Sequence, residues 1–378
     1  MSFWTLSPRD PLVVRDGRPN HGRSESTTLP FPYPSTIAGT VRTRLGSDER
    51  GIFDPAQDLD ALRRVALRGP LLVGLDDGAL YVPRPRDAIT FGVEAGGRVL
   101  RRLVPVERPE GSLFDKALDG APVGFASEHA QSPGKPAPSA ALWPWTLLAR
   151  WLTEPRAMEN GDADALLGEG LAALPVETRS HVKLGETGTA EDGMLFQARG
   201  LRFTTSDWRP LALAMDIADS NLGGRTLRAG VGPCGGERRL AHWEPAPKLA
   251  LPALTDGVRA ALLTDVPRVR VRVVLLTPAI FTAGSKPGQI LAPRGGVTPT
   301  LVAACVPRPE TISGWDFARR RPKASRRVVS AGSVYWIDLD GAPTDRVAWA
   351  EEVMMSNISD DPQDVRDGFG LAAVGVGS

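Results

Sequence analysis

The chain has 378 residues, 42% hydrophobic and 24% charged, which suits two modules that each bury a real core and excludes a disordered chain. Its 40 Gly and 34 Pro follow no collagen-like period, so loops, bulges and extended segments are expected rather than long helices, and the fold class is α+β. A net charge of +1 excludes a uniformly basic nucleic-acid binder, so any basic surface must be local.

In chain order, Phe3–Leu6 reads as a strand and Pro11–Val14 as a second extended segment, closed by the turn Asp16-Gly17. Pro30, Pro32 and Pro34 keep the next loop extended. Ser35 or Thr36 then caps a short amphipathic helix, STIAGTVRTRLG, with Ile37, Val41 and Leu45 on one face and Gly46 at its end. Leu71–Val73 and Ala79–Val82 flank Asp76-Asp77-Gly78 as a hairpin, which gives a β-α-β-β order. Residues 104–142 are rich in Pro, Gly and Ser and read as a large insertion inside the first module. The helix WPWTLLARWL follows, and its Trp143, Trp145 and Trp151 belong to core packing or a subunit contact before they belong to base stacking.

From Glu177 the pattern turns to strand: ETRSHVKL, the polar loop GETGTAEDG and MLFQARGLRF form a long hairpin, and LALAMDI follows. Residues 221–236 are a glycine-rich loop, and a module boundary is expected at 245–266. The second module opens on RVRVRVVLLT near Arg268. It continues with strands at Thr300–Val306 and Ser333–Leu339, a helix at Trp349–Met355 and the segment GFGLAAVGVG. Two ferredoxin-like (RRM-like) domains result, 1–250 and 266–378, with large loop insertions and a C-terminal glycine-rich loop.

Several chemistries are set aside. Cys234 and Cys305 lack CxxC spacing and no secretory leader is read, so a reducing, cytoplasmic setting is expected. The apolar run Val271–Phe281 is too short for a membrane span and is broken by Pro278. GVGPCG at 230–235 matches GxGxxG but lacks a preceding strand and a following helix, so no dinucleotide site is expected. His21, His129, His181 and His242 show no metal-ligand spacing, so neither metal nor cofactor is expected. His181 stands between Arg179 and Lys183, the position of a phosphate contact or of a general base for metal-free RNA cleavage.

Local basic and glycine-rich segments remain. RRRPKASRR at 319–327 concentrates cations away from the acidic Asp360, Asp361 and Asp364. Glycine lets a backbone approach phosphates closely and donate to them, which points to Leu222–Gly236 with its arginines, and to Arg366-Asp367-Gly368-Phe369-Gly370. The latter is an interrupted version of the core by which RRM sheets stack a base on an aromatic ring.

Seven strings in order then resemble the RAMP superfamily of CRISPR proteins, and within it the subunit that caps the guide-RNA 5′ handle in type III-B (Cmr) effector complexes. They are DPLVVRDGRP at 10–19, PSTIAGTVRTRLG at 34–46, the hairpin at 177–203, GGERRLAHW at 235–243, TPAIFTAGSKPG at 277–288, SGWDFARRRPK at 313–323 and GFGLAAVGVG at 368–377. The resemblance implies two RRM-like domains, no catalytic role, and contacts to the crRNA, the large polymerase-like subunit and a backbone RAMP subunit. By motif position the RNA contacts are Arg15, Arg18, Ser35, Arg42, His181, Lys183, Arg238, Arg239, Lys286, Arg320, Gly368, Phe369 and Gly370. The alternative within the superfamily is a metal-independent endoribonuclease that processes precursor crRNA through His181 or His21.

Overall fold

The computed structural model of the chain describes residues 2–15, 25–26, 28–92, 97–108, 110–111, 120–126, 135–155, 163, 167–219, 222–237, 239–316 and 321–377. It is a mixed α/β structure with several antiparallel sheets. By contacts the chain separates into two units built from non-contiguous stretches. The first combines Met1–Gly78, Ala173–Leu249 and Glu310–Arg327, and the second Ala79–Ala172, Ala250–Pro309 and Val328–Ser378. The domains expected at 1–250 and 266–378 run in series, whereas residues 79–172 pack in the second unit.

In the first unit, strand Ser2–Pro8 buries Trp4, Thr5 and Leu6 in succession, so both of its faces are covered at its middle. That strand lies between Leu211–Ile217 and Leu240–Pro245, antiparallel to both. Leu67–Gly74 flanks Leu211–Ile217, and Gly230–Pro233 flanks Leu240–Pro245. Helix Pro34–Leu45 buries Ile37, Ala38, Val41 and Leu45, the stripe expected from spacing. Its N-cap, however, is Tyr33 without a side-chain cap, because Pro34 with its fixed φ opens the first turn. Ser35 therefore lies within the helix and caps nothing.

The glycine-rich segment is also not the loop expected. Gly230–Pro233 is a strand paired antiparallel with Leu240–Pro245. Among the described residues no helix follows it directly, so the GxGxxG match lacks the helix N-terminus a pyrophosphate needs. Arg44 fixes the segment to the first helix: its guanidinium donates to the carbonyls of Arg228 (3.2 Å), Ala229 (2.8 Å) and Val231 (2.7 Å).

The sheet of the second unit runs Thr298–Cys305, Val334–Asp340, Arg268–Leu275, Ala372–Val376, all neighbours antiparallel. Along Arg268–Leu275, alternation sends Val271 and Val273 to one face and Arg270 and Arg272 to the other. The arginine face is covered at Arg272 and open toward Arg268. Arg272 is enclosed; it donates to the Val376 carbonyl (2.7 Å), the Trp151 carbonyl (2.5 Å) and the Asp87 carboxylate, which also accepts from the Trp151 indole (3.0 Å). Arg270 pairs with Asp338 (2.7 Å) and borders a cleft lined by Pro105, Arg108 and Gly120. Residues of the 79–172 stretch thus sit where an RRM sheet would leave an open surface.

Helix Trp145–Thr153 contributes to that cover. Trp143 and Trp151 meet edge to face, centroids 5.9 Å apart, in the core rather than at a surface. A helix not foreseen, Asp256–Leu262, falls inside the expected boundary at 245–266; Thr255 caps it, and it packs on helix Pro343–Val353 and strand Ala372–Val376. The terminal glycine segment divides: Gly368–Phe369–Gly370 turns out of helix Pro362–Asp367, and the rest forms the last strand. No helix among the described residues is long and apolar enough to cross a membrane.

Candidate nucleic-acid interface

The hairpin expected from Glu177 onward is present in the first unit, and much of its surface is exposed. Its strands, Val176–Leu184 and Ala190–Leu201, pair antiparallel, with Phe196 opposite His181, Ala198 opposite Arg179 and Gly200 opposite Glu177. Side chains two apart share a face, so Glu177, Arg179, His181 and Lys183 form one row, joined by Phe196 from the other strand. The His181 and Phe196 rings are stacked, 5.2 Å apart and 15° from parallel, and both are exposed. Lys183 pairs with Glu191 at 2.8 Å and keeps much of its side chain in solvent. The opposite face carries the exposed pair Val182 and Leu195.

At its root the hairpin is fixed to the segment after the first strand. Leu12 and Leu201 exchange backbone hydrogen bonds at 2.8 Å each way. Gly200 is required there, because a Cβ would lie 2.7 Å from that of Pro11. The same segment meets the glycine-rich hairpin: Gly236 N–H donates to the Val13 carbonyl (2.8 Å), and Arg15 pairs with Glu237. Arg15 is exposed but has a protein carboxylate as partner, and the Arg239 side chain is half-buried beside it in sequence. Part of the glycine content expected to approach RNA thus serves chain-to-chain packing.

Two further expected contacts of the first unit, Ser35 and Arg42, belong to helix Pro34–Leu45. Ser35 is half-buried, and Arg42 donates to the Val65 carbonyl at 3.0 Å, holding the first helix to the chain that follows. In the second unit, Phe369 is 0% exposed and offers no ring face to a base. Gly368 and Gly370 are buried with it in positive-φ backbone, φ 99° and 86°, and a Cβ on Gly370 would lie 2.8 Å from the Ser359 nitrogen. The stacking role expected for this segment is therefore corrected to a core role, a distinction that the local string does not carry.

What this segment supports is the neighbouring loop. Thr277 hydroxyl donates to the Gly368 carbonyl (2.8 Å), and Gly370 N–H to the Pro278 carbonyl (2.8 Å). Beyond it, the Asp360 carboxylate accepts from the N–H groups of Thr282 (2.7 Å), Gly288 (3.0 Å) and Gln289 (3.2 Å). The exposed Lys286 stands on this ordered loop and makes no ion pair among the described residues. Arg18, Arg238 and Arg320 lie outside the described residues, as do His21 and His129.

Several residues at the hairpin root went unnoticed in sequence. Glu177 accepts hydrogen bonds from both Arg179 and Arg202, and the Arg179 contact, then the Arg202 contact, hold its carboxyl below the usual range. Arg202 also lies over the exposed ring of Trp208, 5.5 Å from its centroid. Phe196 and Trp208 were legible only as aromatics near arginines. No three His, Cys, Asp or Glu side chains gather into a metal set among the described residues.

A family model described as "CRISPR-associated protein (Cas_Cmr3)" matches residues 4–377. Among solved structures, the chain is similar to one in a type III-B Cmr-beta complex bound to cognate target RNA and AMPPnP, with 16% identity and a TM-score of 0.49 over 88% of this chain and 86% of that one. A second Cmr-beta complex bound to cognate target RNA gives 15% identity and a TM-score of 0.48, covering 88% and 86%. A Csm3-Csm4 subcomplex of a type III-A CRISPR-Cas interference complex gives 11% identity and 0.32, covering 90% and 94%. No curated protein sequence matches.

Proposed function

We propose, from the premise that this chain belongs to the Cas_Cmr3 family of CRISPR-associated proteins, that it is a non-catalytic, RNA-holding subunit of a type III-B effector complex. Its role in that reading is to grip the repeat-derived 5′ tag of the crRNA and to bridge the large polymerase-like subunit and the first backbone RAMP subunit. The observation that carries it is the row along the hairpin, where the exposed Lys183 and the stacked, exposed His181 and Phe196 share one face with the half-buried Arg179. Single-stranded RNA is held by such rows: cations meet phosphates, and rings accept splayed bases without base-pair geometry.

Two ferredoxin-like halves fit this reading. In each unit the first and fourth strands of a β-β-β-β set are adjacent, the third beside the first and the second outermost. The orders are Leu240–Pro245, Ser2–Pro8, Leu211–Ile217, Leu67–Gly74 and Ala372–Val376, Arg268–Leu275, Val334–Asp340, Thr298–Cys305. A helix follows the first strand in one set and the third in the other.

The endoribonuclease reading gains no supporting geometry. His181 makes no hydrogen bond to a second titratable group among the described residues, and Lys183 is engaged by Glu191. The test is binding of the chain, co-purified with its partner subunits, to RNA bearing the cognate tag or a scrambled one, without metal and at near-physiological salt, with the RNA run on a gel afterwards. Intact RNA retained through the tag is the expected result. Cleavage dependent on His181 would replace this reading with the enzymatic one, and equal retention of both RNAs would remove the tag-binding role.

A further inference from the structure

Trp208 combines features that a packing residue does not need. Its side chain is 69% exposed and its backbone has φ 67°, a left-handed conformation that bulky side chains rarely adopt. The turn that imposes this geometry is over-determined. Thr205 N–H donates to the Arg209 carbonyl (3.0 Å), Trp208 N–H to the Thr205 carbonyl (3.1 Å) and Arg209 N–H to the Thr205 hydroxyl (2.9 Å). Asp207 accepts from Thr205 and from Arg209 (3.0 Å), and Leu211 N–H closes the base on the Phe203 carbonyl (2.9 Å). Strain maintained by so many bonds, for a ring left in solvent, points to a ring presented to something.

The surroundings identify what. Arg202 covers one ring face, leaving the other to solvent, and Glu177 links Arg202 to Arg179, the first cation of the hairpin row. Two arginines share one carboxylate, so the linkage retains a positive charge beside the ring. We infer that Trp208 is a second base-stacking platform, at the root of the hairpin, and that single-stranded RNA runs from it along Arg179 to the His181–Phe196 platform. This rests on the RNA-holding reading above and adds a contact residue to it. An aromatic ring with a guanidinium behind it and cations alongside suits a nucleobase with its phosphate; an acidic or apolar protein segment would use only half of it.

The experiment uses the chain assembled with its partner subunits and tag RNAs carrying 2-aminopurine at one position in turn. One position should lose fluorescence on binding, and Trp208→Ala should restore it and weaken binding by roughly tenfold, the scale of one stacked base. Trp208→Phe should keep most of the affinity. Arg202→Ala should reduce the salt dependence of binding, which Trp208→Ala leaves unchanged. Trp208→Gly relieves the strained backbone, so it should keep or raise the melting temperature while losing affinity. Unchanged affinity in Trp208→Ala, with His181→Ala or Phe196→Ala still weakening it, would overturn the platform and leave the RNA-holding reading standing. Loss of a partner subunit with RNA affinity intact would overturn it in favour of a protein contact. A fall in melting temperature that tracks the affinity loss would make Trp208 a packing residue. Failure of the unsubstituted assembly to prefer the tag would instead count against the RNA-holding reading itself.

Discussion

Asp87 and Arg272 are 0% and 1% exposed, and their pairing sets what the second unit tolerates. Removing one partner leaves a desolvated charge alone, so Asp87→Ala should lower unfolding free energy by about 3–5 kcal/mol, read by urea denaturation, while a matched apolar pair at both positions should cost far less. The loss also strips the Trp151 indole of its acceptor. Cys234 behaves as a buried apolar group: desolvation pushes its thiol up from 9.0 to about 12. Because the folded-state value is the higher one, this contribution is complete below about pH 9 and declines as the pH rises through about 12. Urea midpoints of the unsubstituted chain should therefore fall more steeply between pH 8 and 10.5 than those of Cys234→Ala.

Among the elements, the loop at 281–289 gives the sharpest expectation. Three of its N–H groups end on one carboxylate, so Asp360→Ala should accelerate hydrogen exchange at Thr282, Gly288 and Gln289 while sparing the sheet amides. Unchanged exchange there would mean that the loop is held by other contacts, such as the Tyr335 hydroxyl on the Ser285 carbonyl. Legibility in sequence followed the strength of local periodicity. The strand Arg268–Leu275 and the hairpin at 176–201 announced themselves by alternation. Gly230–Pro233 did not, since two glycines supply no alternating side chains, and its strand character comes from Leu240–Pro245 beside it. Asp256–Leu262, at seven residues, is too short for a helical period and is stabilised by what it packs against. Phe369 and Trp208 show the same limit at the candidate site: both are aromatics near an arginine and glycine or turn signals, yet tertiary packing encloses one and exposes the other.

At the level of the whole molecule, the second unit draws on residues 79–172, 250–309 and 328–378. A fragment ending at residue 250 would hold Asp87 and Trp151 without Arg272 and without the four-stranded sheet. We expect fragment 1–250 to lack cooperative unfolding of its 79–172 stretch and to bind a hydrophobic dye, checked by calorimetry and fluorescence. A sharp transition accounting for all 250 residues would contradict this. The cover over Arg272 belongs to the same scale. With the 79–172 stretch enclosing Arg272, that part of the sheet is closed to outside contacts, whereas the loop of Lys286 is exposed.

The last strand of that sheet, Ala372–Val376, pairs beside Arg268–Leu275, so the 79–172 stretch has no finished partner until about 200 more residues have been made. At synthesis rates of about 5–20 residues per second, that wait is on the order of tens of seconds. During translation Asp87, Trp143 and Trp151 are therefore born unsheltered. Slowing or speeding translation of the second half of the message should therefore change the yield of folded protein even where the stability of the finished fold is unchanged.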